Sequence, residues 1–453
     1  MISTSLAASD NEATPDSPQD NSSIENDIKD LSAQIITRKQ QLKKPQGQRN
    51  SSAHLSGEIT NETASRLSGD KKLTSIRNEM LLGVTGAISN DISFKVSGRA
   101  YYDTVYNWTH NFNPEVKKDQ QKELELRDTY LDYSNGPWDF RLGKQQIVWG
   151  DAVALFFADV VNARDMREFI LPDLNMIRIP EWGSLVEYSA EPFHAEMLWI
   201  PAPEFDKFAK PGAPFAFPYP VPSLQTPLTT RDPEKPANNL QNGKYGLRLS
   251  YKTDGWDFSS FALHTWTDTP AYFRTIDSGV FDFTPRYERT NFYGATFSKE
   301  VNDIVLKGEF AYNQDNRFST LDPADTDGVA KRDAINYLIG ADYTFNKTID
   351  TTLQYMQKIV LNPPDFLAGE RPNDESVALR VKTSYVDGRV APECTVITSL
   401  MEPDLLYRPL VNLRIKDNWQ WRLGADIFRG HSDGLFGEFR KESRVYSHLT
   451  YSF

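Results

Sequence analysis

The chain is poor in cysteine, in histidine and in long apolar runs, and each shortage removes a class of protein. A lone cysteine, Cys394, permits no internal disulfide and no thiolate metal cage. The 6 histidines are scattered, with no HExxH and no pair at metal-ligand spacing. No stretch of about 18 apolar residues occurs, so no transmembrane helix is expected. Positive charge is also short: 50 Lys and Arg face 62 Asp and Glu, a net charge of -12 that argues against nucleic acid as a partner.

These shortages do not exclude a membrane. Strands that cross a bilayer as a closed barrel are apolar on one face only, so their hydropathy averages to a water-soluble value. The mean hydropathy of -0.54 fits that case. So does the aromatic content, with 20 Tyr, 26 Phe and 9 Trp available for interfacial girdles. A length of 453 residues suits one large barrel as well as two or three soluble domains.

The last stretch, Ser443 to Phe453, alternates strictly. Val445, Leu449, Tyr451 and Phe453 fall on one face, and Arg444, His448, Thr450 and Ser452 on the other, as a strand between two solvents requires. It resembles the terminal strand of bacterial outer-membrane barrels, which closes the barrel and ends on Phe. The resemblance implies pairing with a first strand near residues 53–67 and with residues 419–429.

The amino-terminal part reads differently. Residues 1–21 are expected to be disordered, with Ile2 to Ala8 as a signal-peptide remnant. Residues 22–50 read as a periplasmic helix and linker: Ser22 and Glu25 form a capping box, and Ile24, Ile28, Leu31 and Ile35 follow at helical spacing. From residue 51 to 453 the period is two. The arm Ile92 to Tyr106 runs far beyond the 5–6 residues of an ordinary soluble strand.

Two regularities point to a transmembrane antiparallel β-barrel. Trp138-Asp139-Phe140, Trp256-Asp257-Phe258 and Trp419-Gln420-Trp421 each follow a tight turn, where a barrel places its aromatic belt. Connections also alternate in length. Short turns at 89–91, 135–137, 191–192, 253–255, 346–347, 386–388 and 416–418 alternate with long loops, the arrangement of periplasmic turns and extracellular loops. The strand count is about 18, or 16 if the first strand and the one near residues 389–401 fail.

Inward positions would then line the interior. Alternation against outward Trp138, Phe140 and Leu142 turns Asp139 and Arg141 inward, with Lys144 continuing toward the outer rim, where Gly143 can disturb the register. The same logic assigns Arg99, Asp103, Arg248, Lys252, Glu309, Asp342, Arg380, Lys382, Arg414, Arg422 and Asp426, with Arg127 and Asp132 in an ambiguous register. Walls of both signs orient polar solutes; a ring of one sign selects ions. Many such charges could instead pair and stiffen the wall. Residues 151–182 are too apolar for a solvated loop, and Phe156, Phe157 and Phe169 need burial. A short helix is expected over 164–171, carrying Arg164 and Asp165. This loop either folds inward as a constriction or caps the mouth. Residues 201–236 hold ten prolines and read as extended and semi-rigid.

The stretch Arg141-Leu142-Gly143-Lys144-Gln145, with Trp149-Gly150-Asp151 after it, resembles a large family of proteobacterial outer-membrane proteins with an R-L-G-[RK]-Q and W-G-[ED] signature. Trp421 to Phe428 and Gly434-Leu435-Phe436-Gly437 are similar to that family's penultimate strand and last loop. Ala163 stands where the family has proline. The resemblance implies a conduit for hydrophobic or lipidic compounds, set in outer-membrane lipid and lipopolysaccharide. It also implies an inner-membrane efflux-type transporter or periplasmic carrier as partner, and no cofactor. A homo-oligomer stays open. A general or anion-preferring porin and a plugged binding or scaffold barrel are the competing readings. His431-Ser432-Asp433-Gly434 sets His beside Ser in a turn, where adjacent side chains diverge, so no enzyme and no metal are expected.

Overall fold

The computed structural model describes residues 53–68, 72–109, 111–150, 157–217, 228–277, 280–322 and 324–453. The expected disordered segment 1–21, the helix within 22–50, and Phe156 lie outside them. The chain forms β1 (His54–Arg66), β2 (Leu73–Ala87), β3 (Ile92–Asp103), β4 (Lys122–Asn135), β5 (Trp138–Gln145), β6 (Glu181–Ala190) and β7 (Phe193–Ile200). A short β8 (Leu228–Thr230) precedes β9 (Lys244–Thr253) and β10 (Trp256–Trp266), then β11 (Ala271–Asp277) and β12 (Val280–Arg286). There follow β13 (Arg289–Val301), β14 (Ile304–Ser319), β15 (Val329–Phe345), β16 (Ile349–Val360) and β17 (Asn373–Thr383). The last are β18 (Val390–Ser399), β19 (Asp404–Lys416), β20 (Trp419–Gly430) and β21 (Arg444–Ser452).

All but β8, β11 and β12 belong to one 18-stranded sheet. Each strand pairs antiparallel with the next, and β21 pairs with both β20 and β1. The sheet is therefore a closed up-and-down barrel with no free edge, as a bilayer demands of strands. β1 and β18, the two doubtful strands of the count, are both present. At the seam the Gly57 and Phe453 amides and carbonyls exchange two 2.9 Å hydrogen bonds. The Phe453 ring lies so close over Gly57 that a Cβ there would stand 2.5 Å from its Cζ.

Burial sorts the two faces. Val445, Leu449 and Phe453 are exposed on the outer face of β21, whereas Arg444 and Tyr446 are buried inside. Trp138 and Phe140, Phe258, and Trp419 and Trp421 point outward beside the turns, as the aromatic belt requires. One local departure explains the ambiguous register of β4. A shift between Val96 and Gly98 on β3 bulges β4 opposite, so Leu124 and Leu126 point out before it and Leu131 and Tyr133 after it. Arg127, Tyr130 and Asp132 consequently all face inward.

The loops carry the remaining elements. Residues 104–121 hold two short helices, α1 (Val105–Trp108) and α2 (Pro114–Gln120). α2 starts on Asn113, whose side chain accepts the Val116 N–H, with Pro at N1. β11, β12 and β8 form a separate small sheet. The helix expected over 164–171 is absent: Arg164 bridges Arg178 and Asp165 bridges Lys207 instead. The helix in this loop is α3, Leu174–Ile177. Asp173 and Pro172 precede it, and the polar run Asn162 to Glu168 is drawn into extended contacts with neighbouring chain.

Candidate functional site: a loop across the barrel interior

The segment between β5 and β6 enters the barrel and packs on its inner wall. Its first part, Ile147, Trp149, Ala158, Val160 and Val161, is buried against Leu185, Leu198, Phe261, Leu263 and Ala311 of β6, β7, β10 and β14. Its second part, Phe169-Ile170-Leu171, is buried against Leu338, Met356, Ala378, Ile397, Leu406 and Phe428, one from each strand from β15 to β20. Phe157 joins this second cluster. The loop thus spans the interior between two arcs of wall. Of the two expected arrangements, inward folding and a cap over the mouth, the packing is that of inward folding.

Apolar contact alone would let the loop slide, and polar clamps fix it. On β19 the Arg408 guanidinium donates to the carbonyls of Ile170 and Leu171, at 3.4 and 2.7 Å. On β4 Arg127 donates to the Asn175 and Arg178 carbonyls. On β14 Glu309 accepts the Ala158 N–H at 3.1 Å. Arg77 on β2 pairs with Glu168, and Arg422 on β20 stands 3.3 Å from Asp173. Deeper in, Lys244 is 1% exposed, 2.8 Å from Glu181 and 3.0 Å from the Val161 carbonyl. A buried lysine needs such a carboxylate, and the loop carbonyl takes a second of its protons.

A second loop braces the first. Phe215 and Phe217, from the proline-rich stretch, pack with Phe169, Phe428 and Phe439 in an aromatic cluster. Arg164 donates its main-chain N–H to Asp206 at 2.7 Å, and its side chain holds the Asp159 carbonyl at 2.9 Å. Asp165 is chelated by Arg167, which also reaches Glu123 at 2.6 Å. Burial would raise the Asp165 carboxyl, but the hydrogen bond and charge of Arg167 outweigh it and hold the group below the ordinary range.

The interior positions named from alternation take different roles. Arg99 pairs with Glu79 at 2.6 Å, Arg141 with Asp132 at 2.6 Å, and Asp342 with Lys307 at 2.9 Å. Asp426, fully buried, holds Arg408 and Arg444, each at 2.9 Å. Arg127, Glu309 and Arg422 grip the loop, as described. Arg380 and Lys382 on β17 and Arg414 on β19 also take inward register. Arg248 lies 3.2 Å from Ser259 and 3.8 Å from Glu196. Asp103 instead caps local chain, accepting from Ile76 N, Val105 N and Ser75 Oγ within 3.0 Å.

Lys144 is corrected. It is the ladder partner of Thr129 and of outward Trp182, and it shares parity with outward Leu142. Gly143 does not shift that register; its φ of +141° only lets the backbone pass close to Thr129 and Tyr130. Alternation also missed Arg77 and Arg408, which the same parity rule would have marked as inward. Between the loop and the β2–β3 wall lies a cavity of about 60 Å³, lined by Arg77, Arg99, Arg167 and Arg444 with Asp165 and Glu168.

A closed barrel of 18 antiparallel strands, aromatic beside its short turns and crossed by one loop, defines an outer-membrane β-barrel of a Gram-negative bacterium. The chain belongs to the family described as "Protein of unknown function (DUF1302)", whose model matches residues 29–453. Among solved structures it is similar to OccAB1 of Acinetobacter baumannii, with a TM-score of 0.54 at 10% identity over 88% of this chain and 96% of that one. OccAB4 of the same organism gives 0.51 at 10% identity, over 90% and 100%. OccK8 (OprE) of Pseudomonas aeruginosa gives 0.50 at 10%, over 88% and 97%. At such identities the likeness is one of fold. No curated protein matches the chain.

Proposed function

We propose that the protein is a passive outer-membrane channel for small amphiphilic or hydrophobic organic solutes, narrowed by the loop between β5 and β6. The observation that carries this reading is the loop itself, which brings the partly buried Phe157 and Met166 into an interior whose wall also carries many charged groups. Beside it stand guanidinium and carboxylate groups of both signs, around the cavity of about 60 Å³. A transverse field of that kind orients a dipolar solute, while an apolar surface accepts its hydrocarbon part. Arg380, Lys382 and Arg414 add positive charge on one arc of the wall. The surrounding partner on this reading is outer-membrane lipid, against the exposed band of Leu, Phe and Trp.

The density of clamps on the loop favours a second reading, a plugged binding or scaffold barrel. Planar-bilayer recording separates the two. The channel reading expects measurable conductance that rises when residues 151–182 are deleted. Conductance near zero in both proteins sinks it and leaves the plugged barrel. Strong anion selectivity lost in Arg141→Ala and Arg422→Ala would mark an ion porin instead.

A further inference from the structure

The hairpin about the Glu191–Pro192 turn gathers three metal-type donors. Glu187 on β6 and Glu196 on β7 are direct ladder partners. His194 shares their inward parity, since Phe193 and Met197 are exposed on the outer face. His194 Nε2 lies 3.0 Å from Glu196 Oε1 and 3.7 Å from Glu187 Oε1. One donor atom from each residue falls within 4.8 Å of the other two.

Carboxylates directly opposite across a ladder repel. Here the row is three long, because Asp139 on β5 is the ladder partner of Glu187 on its other side. Arg248 on β9 pairs with Glu196, its Nη1 3.8 Å from Oε1, and the charge of Arg141 acts on Glu187. A cation seated among the three donors would relieve this repulsion at short range.

Outer contacts aim the donors. Ser189 Oγ lies 2.9 Å from His194 Nδ1. A hydroxyl donates or accepts, so the ring can keep its proton on Nδ1, donate that N–H to Ser189 Oγ, and present the Nε2 lone pair. The Trp149 indole N–H donates to Glu196 Oε2 at 3.1 Å, which occupies that oxygen and leaves Oε1 on the cluster side. Hydrogen bonds of both kinds are those that orient metal ligands. Bonds of about 2.1 Å set neighbouring ligand atoms about 3–3.5 Å apart, close to the 3.0 and 3.7 Å that separate His194 Nε2 from the two carboxylates. One imidazole nitrogen with two carboxylate oxygens suits zinc, manganese or iron(II); calcium prefers oxygen alone.

We propose that Glu187, His194 and Glu196 bind a borderline divalent metal ion on the inner barrel wall, through His194 Nε2 and one oxygen of each carboxylate. Water completes the shell. The site goes beyond the channel reading and does not depend on it, because an ion can seat there whether or not the barrel conducts.

The full chain, folded in detergent and stripped with chelator, is titrated with zinc by calorimetry at neutral pH. The expected result is one saturable ion per chain. Ser189→Ala should weaken binding about tenfold by releasing the ring, and His194→Gln should abolish it. Heat-modifiable gel migration reports whether each variant is folded. Absence of saturable binding in the wild-type protein overturns the proposal without recourse to any variant. So does zinc binding that folded His194→Gln leaves unchanged.

Discussion

Arg408 Nη2 donates to the Leu171 carbonyl at 2.7 Å, while its Nε holds Asp426 at 2.9 Å. A single guanidinium thus joins the wall of the barrel to the loop inside it. Arg408→Ala removes the donor to Leu171 and one of the two cations on a fully buried carboxylate. Hydrogen bonds to charged groups contribute about 1.5–3 kcal/mol each. The variant should lose stability on that scale in urea titrations of the folded barrel. Its bilayer current should be larger and noisier than wild type, because the loop is held at fewer points.

Phe169 offers a sharper test of loop packing. It sits at φ 56°, in the left-handed region, where an aromatic residue persists only if its surroundings hold it. Its ring touches Phe217, Phe428, Phe436 and Phe439. Phe169→Ala should cost about 3–5 kcal/mol through lost packing. Phe169→Gly loses the same ring but relieves a backbone cost of about 1–2 kcal/mol. The glycine variant should therefore be the more stable of the two, reversing the order found at ordinary positions. Thermal unfolding of both variants reads this directly, and an alanine variant as stable as the glycine one would contradict it.

Neighbouring positions on β15 should be destabilised for different reasons. Ile339 is 59% exposed on the outer face, and Leu338 beside it is buried against the loop. Ile339→Arg puts a guanidinium in lipid and should cost about 2–4 kcal/mol if it lies near the bilayer midplane. Leu338→Ala should cost about 2–5 kcal/mol by opening a void in the buried cluster it shares with Phe169. Refolding into vesicles should expose the first defect fully, whereas transfer to a solvating detergent should soften it and leave the second unchanged.

Acidity should tighten the loop cluster. Burial pushes the Asp206 carboxyl up to about 7; the nearby Asp268 charge adds to this and Arg164 opposes it. The folded protein therefore holds this proton more firmly than the unfolded chain, whose aspartates titrate near 3.9. The resulting stabilisation is full below about pH 4 and is lost as pH rises through about 7. Melting temperature should fall between pH 5 and 8 for this reason. Asp206→Asn, neutral throughout, should flatten that part of the slope, and an unchanged slope would assign it elsewhere.

Much of the barrel is legible in the sequence because membrane strands obey a strict period of two. The outward row of β21, the Trp-x-aromatic starts and the short turns follow from local pattern alone. The pattern misleads where the backbone breaks step. In β4 the outward row changes parity at the bulge, and no residue type in Glu123 to Asp132 marks that change. Lys144 reads as interior only if Gly143 breaks the alternation, yet the ladder sets it beside Trp182. The loop defeats local reading for another reason. Its clamps come from six strands at separations of up to 249 residues, as between Arg422 and Asp173. The Glu187, His194 and Glu196 cluster was within reach: Glu187 and Glu196 stand equally far from the Glu191–Pro192 turn, and parity turns all three inward.

The seam between β1 and β21 has a consequence for assembly. Thr60 and Thr450 share a 3.0 Å hydrogen bond across 390 positions of chain. Every other strand pair can form as soon as its hairpin emerges, but this ladder must wait for the whole intervening chain. Contacts of such sequence separation are slow to form, because the entropy of closing the loop is lost before they contribute. Until Arg444 to Ser452 arrives, the hairpins make an open sheet with two unpaired rims. Ring closure is therefore the late, cooperative step of maturation. A mutation confined to β21 should slow the appearance of folded barrel more than one of equal cost in β13.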